Sequence, residues 1–254
     1  MSARYRDKLL VGREVKGQYF VLKKEEVHVF RASLQIPPGK RELFQAVLSR
    51  DELLRAARFH FPKDRDHFVA ARGLLRTLLG QYTGANPRML RVGYGPHGKP
   101  FLETGSGTGS LKFNISHSHG LCLLAFSLGR EVGIDVEYLR PSQSDDEDIV
   151  MRFFAPAEAA ALGALPPDLR QKEFFTFWSR KEAYLKARGF GAAMELRSFD
   201  VSGRPDERTG RIDIKGDEKA SRWSLTDLDP GPRYAAALAA EGHDWQLTYR
   251  ECED

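Results

Sequence analysis

The chain has 254 residues, 41% of them apolar, and 39 Lys and Arg against 35 Asp and Glu, for a formal net charge of +4. That suits one large domain or two small ones, supplies no 18-residue apolar run for a membrane span, and permits an acidic partner without calling for nucleic acid. Two cysteines, Cys122 and Cys252, are too few for a disulfide framework or a cysteine metal site and point to a reducing cytosol, while MSARYRDKLL lacks the apolar segment of a secretory leader.

In chain order, EEVHVFRASL (25–34) alternates and predicts a strand. Residues 39–59 and 64–84 carry apolar side chains at helical spacing, the second run stopping at Tyr82-Thr83-Gly84. LRVGYGPHGKPFL is strand-like and broken by glycines. ETGSGTGS (103–110) reads as a linker, because it lacks the G-x-x-x-x-G-K-[ST] phosphate loop and no helical pattern follows it. NISHS reads as a turn before a strand. LCLLAFSLGREVGIDVE then reads as two strands joined as a hairpin at Gly129-Arg130. PSQSDDEDIV is a polar connection into a helical stretch, and QKEFFTFWSRKEAYLKA is the strongest helix. RWSLTDL, RYAAALAA and WQLTYR close the chain as strands. The faint echo of LCLLAFSL…EVGIDVE in RYAAALAA…DWQLTYR suggests an α+β fold of two pseudo-duplicated halves, 1–140 and 141–254.

Three segments can carry chemistry. Alternation in VGIDVE turns Val132, Ile134 and Val136 to one face and Gly133, Asp135 and Glu137 to the other. Adjacent carboxylates beside a glycine suit Mg²⁺, or they are simply a solvated strand face. In the strong helix, Phe174, Phe177, Trp178, Tyr184 and Leu185 form an apolar stripe with Lys181 inside it. A lysine there needs an acid or a bound anion as partner. Glu182 and Lys186, four apart, are either a surface ion pair or functional. Asn114, Ser116 and His117 combine amide, hydroxyl and imidazole donors near backbone N–H groups, a phosphate-binding set, unless the segment is an unliganded polar turn. It is not a G-x-S-x-G elbow and has no zinc-ligand spacing.

Taken together, these pieces resemble the Sfp-type 4′-phosphopantetheinyl transferases. Gly98-Lys99-Pro100-Phe101, then Phe113-Asn114-Ile115-Ser116-His117-Ser118, then Val132–Glu137 with Phe177–Lys186 follow the family's order, with 42 residues, 136–177, between Asp135 and Trp178. The resemblance runs from about RFHFPKDRDHF to RSFDV. It implies transfer of 4′-phosphopantetheine from coenzyme A to a serine of an apo acyl or peptidyl carrier protein, with release of adenosine 3′,5′-bisphosphate. It implies a fold of two halves with the active site between them. By position it makes Asp135, Glu137 and Glu182 the Mg²⁺ ligands, and Glu182 the candidate base for the carrier serine. Lys181 and Lys186 would hold coenzyme A phosphates. Ser116 and His117 would take the 3′-phosphate, with Asn114, Lys99 and Pro100 lining that pocket, and Arg55 would contact coenzyme A. A cytoplasmic monomer is expected. Two departures stand out: Gly189-Phe190-Gly191-Ala192-Ala193-Met194 where relatives often read Gly-x-Gly-Leu, and His67 where they commonly have arginine.

Overall fold

The computed structural model describes residues 8–10, 20–103, 110–141, 146–190, 195–206 and 210–253. In chain order its elements are β1 (Lys8–Leu10), β2 (Glu26–Ser33), α1 (Pro38–Val47), α2 (Arg50–Ala56), α3 (Pro62–Thr83), β3 (Val92–Tyr94), β4 (Pro100–Leu102), β5 (Leu111–Ser118), β6 (Leu121–Leu128), β7 (Val132–Tyr138), α4 (Asp146–Phe153), α5 (Pro156–Gly163), α6 (Pro167–Arg188), β8 (Arg211–Ile212), β9 (Trp223–Leu228), β10 (Tyr234–Glu241) and β11 (Gln246–Glu253). The linker 104–109 and residues 142–145 and 191–194 of the expected loops lie outside the described residues. Among the described residues no helix is long and apolar enough to cross a membrane.

The chain forms two compact units, one of residues 1–94, 100–129 and 246–254 and the other of 95–99 and 130–245. The first is built on a five-stranded sheet in the order β1-β11-β2-β6-β5. The apolar side of α3, with Leu74, Leu75, Leu78 and Leu79, packs into one core with Phe30 of β2 and Phe126 of β6. Gly84 ends α3 in the left-handed conformation at φ 70°, as a helix-stopping glycine does.

The single helical run expected over 39–59 is two helices. At Ser49 the hydroxyl accepts from the Glu52 N–H at 3.3 Å while Glu52 Oε2 accepts from the Ser49 N–H at 3.0 Å, a reciprocal cap that starts a new helix. The same Glu52 carboxylate accepts from Arg72 Nε at 2.9 Å and from Arg76 Nε. Arg76 Nη1 also donates to the Pro87 and Leu90 carbonyls at 2.8 and 3.0 Å. Burial pushes the Glu52 carboxyl up, but the Ser49 N–H and the two guanidiniums outweigh that and hold it below the ordinary glutamate value.

The second unit carries an antiparallel sheet, β7-β10-β9-β8. Helix α6 lies against it, and Phe177, Ala183, Tyr184 and Leu185 share one core with Ala237 and Ala239 of β10. Predominantly antiparallel pairing with helices on the sheets is the α+β class expected.

Two expectations about pairing are corrected. β6 and β7 are both strands, but they do not form a hairpin: β6 pairs with β2 and β5, and β7 pairs with β10 over Val132–Tyr138. Likewise β10 and β11 go to different sheets, β11 running parallel to β2. β6, β7 and β10 are buried along most of their length whichever sheet they join, so the hydrophobic pattern does not tell one sheet from the other. The division between units accordingly falls at Gly129–Arg130 rather than after Arg140, and β7 with its carboxylates belongs to the second unit. The faint internal echo reappears as an exchange, each run of helix and strands sending its last strand into the other sheet.

Candidate active site

The face of β7 that bears Gly133, Asp135 and Glu137 is covered by helix rather than solvated. An added Cβ at Gly133 would stand 2.1 Å from the Ala187 N and 2.2 Å from the Ala183 O of α6, so only glycine lets the helix backbone come this close. The opposing residues in β10 are alanines, Ala239 beside Gly133, Ala237 beside Asp135 and Ala235 beside Glu137, which keeps that side of the sheet low under the helix. Asp135 is buried at 2% exposure, while Glu137, Glu182 and Lys186 are half-buried.

Lys186 Nζ donates to Asp135 Oδ1 at 2.5 Å. Burial works to lower the Lys186 ammonium, yet Asp135, then Glu182 and Glu137, hold it above the ordinary lysine range. Burial pushes the Glu182 carboxyl up; Lys186 pulls it down and the charge of Asp135 pushes it further up. One ammonium therefore feels three carboxylates, two of which repel each other. Among the described residues, no three His, Cys, Asp or Glu side chains are gathered closely enough to hold a metal as they stand. The donor chemistry nonetheless fits a hard divalent cation: three carboxylates on one strand face and the facing helix, already drawn around a positive charge.

Lys181 is not a phosphate ligand here. It is fully buried, and its ammonium donates to the Leu196 and Phe199 carbonyls, both at 2.7 Å, and sits 2.9 Å from Glu158 Oε2. Those three partners use all three N–H bonds of an ammonium. Of the two partners the stripe called for, an acid or an anion, the structure supplies the acid. The signal for Glu158 was a glutamate two residues after a helix-starting proline, and its distance of 23 positions from Lys181 hid the pairing.

Lys99 belongs with the second unit, not with the Asn114–His117 strand. Its Nζ donates to Glu131 Oε2 at 2.7 Å and to the Ala187 carbonyl at 2.9 Å, so it caps the last turn of α6 next to Lys186. Pro100 opens β4, opposite Tyr94. The remaining expected residues lie in the first unit. FNISHS is strand, not turn: β5 runs through Ser118, and the turn is His119-Gly120, at φ 48° and 84°. Asn114 and Ser116 are buried and His117 is exposed. Consecutive strand residues face opposite sides, so a ligand touched by both Ser116 and His117 has to sit over the strand's end. His67 of α3 stands at that same turn, 3.7 Å from where a Gly120 Cβ would be, and burial lowers its imidazole, as does the charge of Lys63. Arg55 lies over the Phe68 ring at 5.4 Å and lines a hollow of about 610 Å³ with Asp51, Leu54, Arg58 and Phe59.

Residues 131–239 match the 4′-phosphopantetheinyl transferase superfamily, and residues 37–128 match the 4′-phosphopantetheinyl transferase N-terminal family. The 4′-phosphopantetheinyl transferase HetI of Nostoc sp. PCC 7120 is 42% identical over 231 residues, 91% of this chain and 94% of its own. The chain belongs to the 4′-phosphopantetheinyl transferase family. The 4′-phosphopantetheinyl transferase Sfp of Bacillus subtilis strain 168 is 26% identical over 206 residues, 81% of this chain and 88% of its own. A solved holo-(acyl-carrier-protein) synthase from Bacillus anthracis, in complex with CoA (3′,5′-ADP), overlaps 44% of this chain and 96% of its own at 19% identity and TM-score 0.37, too loose a likeness to bear on the fold. In this transferase the two family matches meet near the boundary between β6 and β7.

Proposed function

We propose that this transferase moves 4′-phosphopantetheine from coenzyme A to a serine of an apo acyl or peptidyl carrier protein, using the β7–α6 carboxylates as its Mg²⁺ site. The observation that carries the reading is the Lys186 ammonium held among Asp135, Glu182 and Glu137 under a helix seated on Gly133. The serine Oγ attacks the phosphorus that bears the pantetheine arm. A new P–O bond forms, the pyrophosphate P–O bond breaks, and adenosine 3′,5′-bisphosphate leaves. Asp135, Glu137 and Glu182 would hold the cation, which when bound would offset the charge developing on the leaving bisphosphate. Lys186 binds a phosphate of coenzyme A. Glu182, which stands beside Lys186 and Asp135, takes the serine proton. Ser116 and His117, with Asn114 behind them, receive the 3′-phosphate at the end of β5, and Arg55 contacts coenzyme A on the first unit. Lys99 acts by capping α6. Two cysteine thiols, Cys122 buried and Cys252 half-buried, accord with a reducing cytoplasm, and we propose that the transferase works there as a monomer.

The test is mass spectrometry of apo carrier proteins, fatty-acid, polyketide and peptide types, incubated with coenzyme A and Mg²⁺. The expected result is gain of the phosphopantetheine mass on at least one carrier and loss of that gain in Asp135→Ala. Release of phosphopantetheine without carrier modification, or an Asp135→Ala variant active at limiting Mg²⁺, refutes the reading.

A further inference from the structure

The Lys181–Glu158 pair is the most deeply buried ion pair among the described residues, with both side chains at 0% exposure. Three stretches of chain meet at it: α5, α6 and residues 196–201. Glu158 Oε2 accepts from the Ala155 N–H at 2.7 Å, where α5 begins, and Glu158 Oε1 accepts from the Val201 N–H at 2.8 Å. Lys181 reaches the Leu196 and Phe199 carbonyls, and its ammonium stands 4.3 Å from the centre of the Phe199 ring. Burial pushes Glu158 up and Lys181 down, each opposed by the other. Such a pair adds little net stability over an apolar one, so stability alone is a poor account of it.

Its place on α6 supplies the account. Lys181 immediately precedes Glu182 and lies five residues before Lys186. Gly133 sets how near α6 comes to β7, and the core stripe of α6 and the Arg180–Asp227 pair already limit its roll; Lys181 adds an anchor directly beside Glu182. A roll of about 20° carries a carboxylate some 6 Å from that axis through roughly 2 Å. Catalytic groups tolerate about 0.5 Å, and a misplacement of about 1 Å can cost on the order of 100-fold in rate. A charged anchor fastened to α5 through Glu158 and to backbone carbonyls of residues 196–201 opposes that roll.

We infer that Glu158 and Lys181 are positioning residues, a rotational lock that sets Glu182 and Lys186 against Asp135, and that Lys181 touches neither coenzyme A nor carrier. This rests on the proposed site at Asp135, Glu182 and Lys186. It gives Glu158, which has no means of contacting substrate at 0% exposure, an effect on turnover.

The experiment compares Lys181→Met, Glu158→Gln and the double variant by thermal melting, by Mg²⁺ titration calorimetry and by turnover and KM for coenzyme A with an apo carrier. A milder variant, Glu158→Asp, keeps the charge and shortens the arm, and stands in if the others do not fold. Turnover should fall about 10- to 100-fold in each single variant, while the KM for coenzyme A stays within about twofold of wild type. The Mg²⁺ midpoint should rise in parallel, and the double variant should be no worse than the poorer single. A tenfold or larger rise in the KM for coenzyme A in Lys181→Met, with Glu158→Gln or Glu158→Asp turning over near the wild-type rate, overturns the lock and restores Lys181 as a phosphate ligand. If wild type modifies no carrier, the function proposed above fails, and the Mg²⁺ midpoints still decide for or against the lock: unchanged midpoints in folded variants overturn it.

Discussion

Gly133→Ala is the smallest change that tests how α6 is seated. The added methyl carbon would stand 2.1 Å from one α6 backbone nitrogen and 2.2 Å from an α6 carbonyl oxygen, where ordinary contact begins at 3.4 Å. Both obstacles are main chain inside a hydrogen-bonded helix, so no side chain can swing aside. Either α6 lifts or β7 sinks, by more than 1 Å. Overpacking of this kind costs about 3 kcal/mol, which for a chain of this size lowers the melting midpoint by roughly 6–12 °C. The same displacement pulls Lys186 away from Asp135, now 2.5 Å apart, and exceeds the tolerance of a catalytic arrangement. Carrier modification should therefore fall at least 100-fold at temperatures where the variant is still folded. The assay is a thermal melt followed by mass-spectrometric transfer rates 20 °C below the variant's midpoint. A variant with wild-type melting and wild-type transfer would show that α6 does not lie on this strand face.

Glu182→Ala and Lys186→Ala should each cost orders of magnitude in transfer with little loss of melting temperature, and the swap Glu182→Lys with Lys186→Glu should be inactive; a swap that transfers at near-native rate removes the catalytic assignment of this helix. His117→Ala should lower kcat/KM for coenzyme A far more than for 3′-dephospho-coenzyme A, and an equal loss on both substrates removes the 3′-phosphate contact. Glu52→Gln should destabilise the first unit by about 3–5 kcal/mol at pH 7, because two buried guanidiniums lose their counter-charge. The Glu52 carboxyl is held below its ordinary value, so its contribution is present above the unfolded glutamate pKa and is lost as pH falls through the folded one. The stability gap between wild type and Glu52→Gln, followed by denaturant titration, should close at acid pH, and a gap independent of pH contradicts the buried pairing.

Much of the site is legible in the sequence because its residues sit within single elements. Alternation over VGIDVE puts Gly133, Asp135 and Glu137 on one side whether or not a helix covers them, and the helical period puts Lys181 in the stripe. Three of the failures share a cause: each depends on a partner distant in sequence. Nothing near Lys181 points to Glu158, nothing in GKPF points to the α6 carbonyl that Lys99 caps, and LCLLAFSL and VGIDVE look like a hairpin because adjacency is the commonest arrangement. FNISHS looks like a turn on its polar residues alone. Its period of two, with Phe113 and Ile115 facing the core cluster and Asn114 and Ser116 turned the other way, marks the strand, and the glycine that turns the chain comes later, at Gly120.

The exchange of final strands also makes the first unit separable on paper. β6 and β11 both flank β2, with Ser127 and Leu247 on either side of Val27. Their ends Gly129 and Gln246 thus emerge at the same edge of the sheet, two strand spacings or about 10 Å apart. A gap that small is spanned by about three or four residues of flexible chain. Residues 130–245 are, in gene-architecture terms, an insert whose two junctions almost touch. A shortened gene that splices codon 129 to codon 246 through such a linker would encode a continuous polypeptide with the sheet intact, and the excised segment could be supplied as a second polypeptide for complementation.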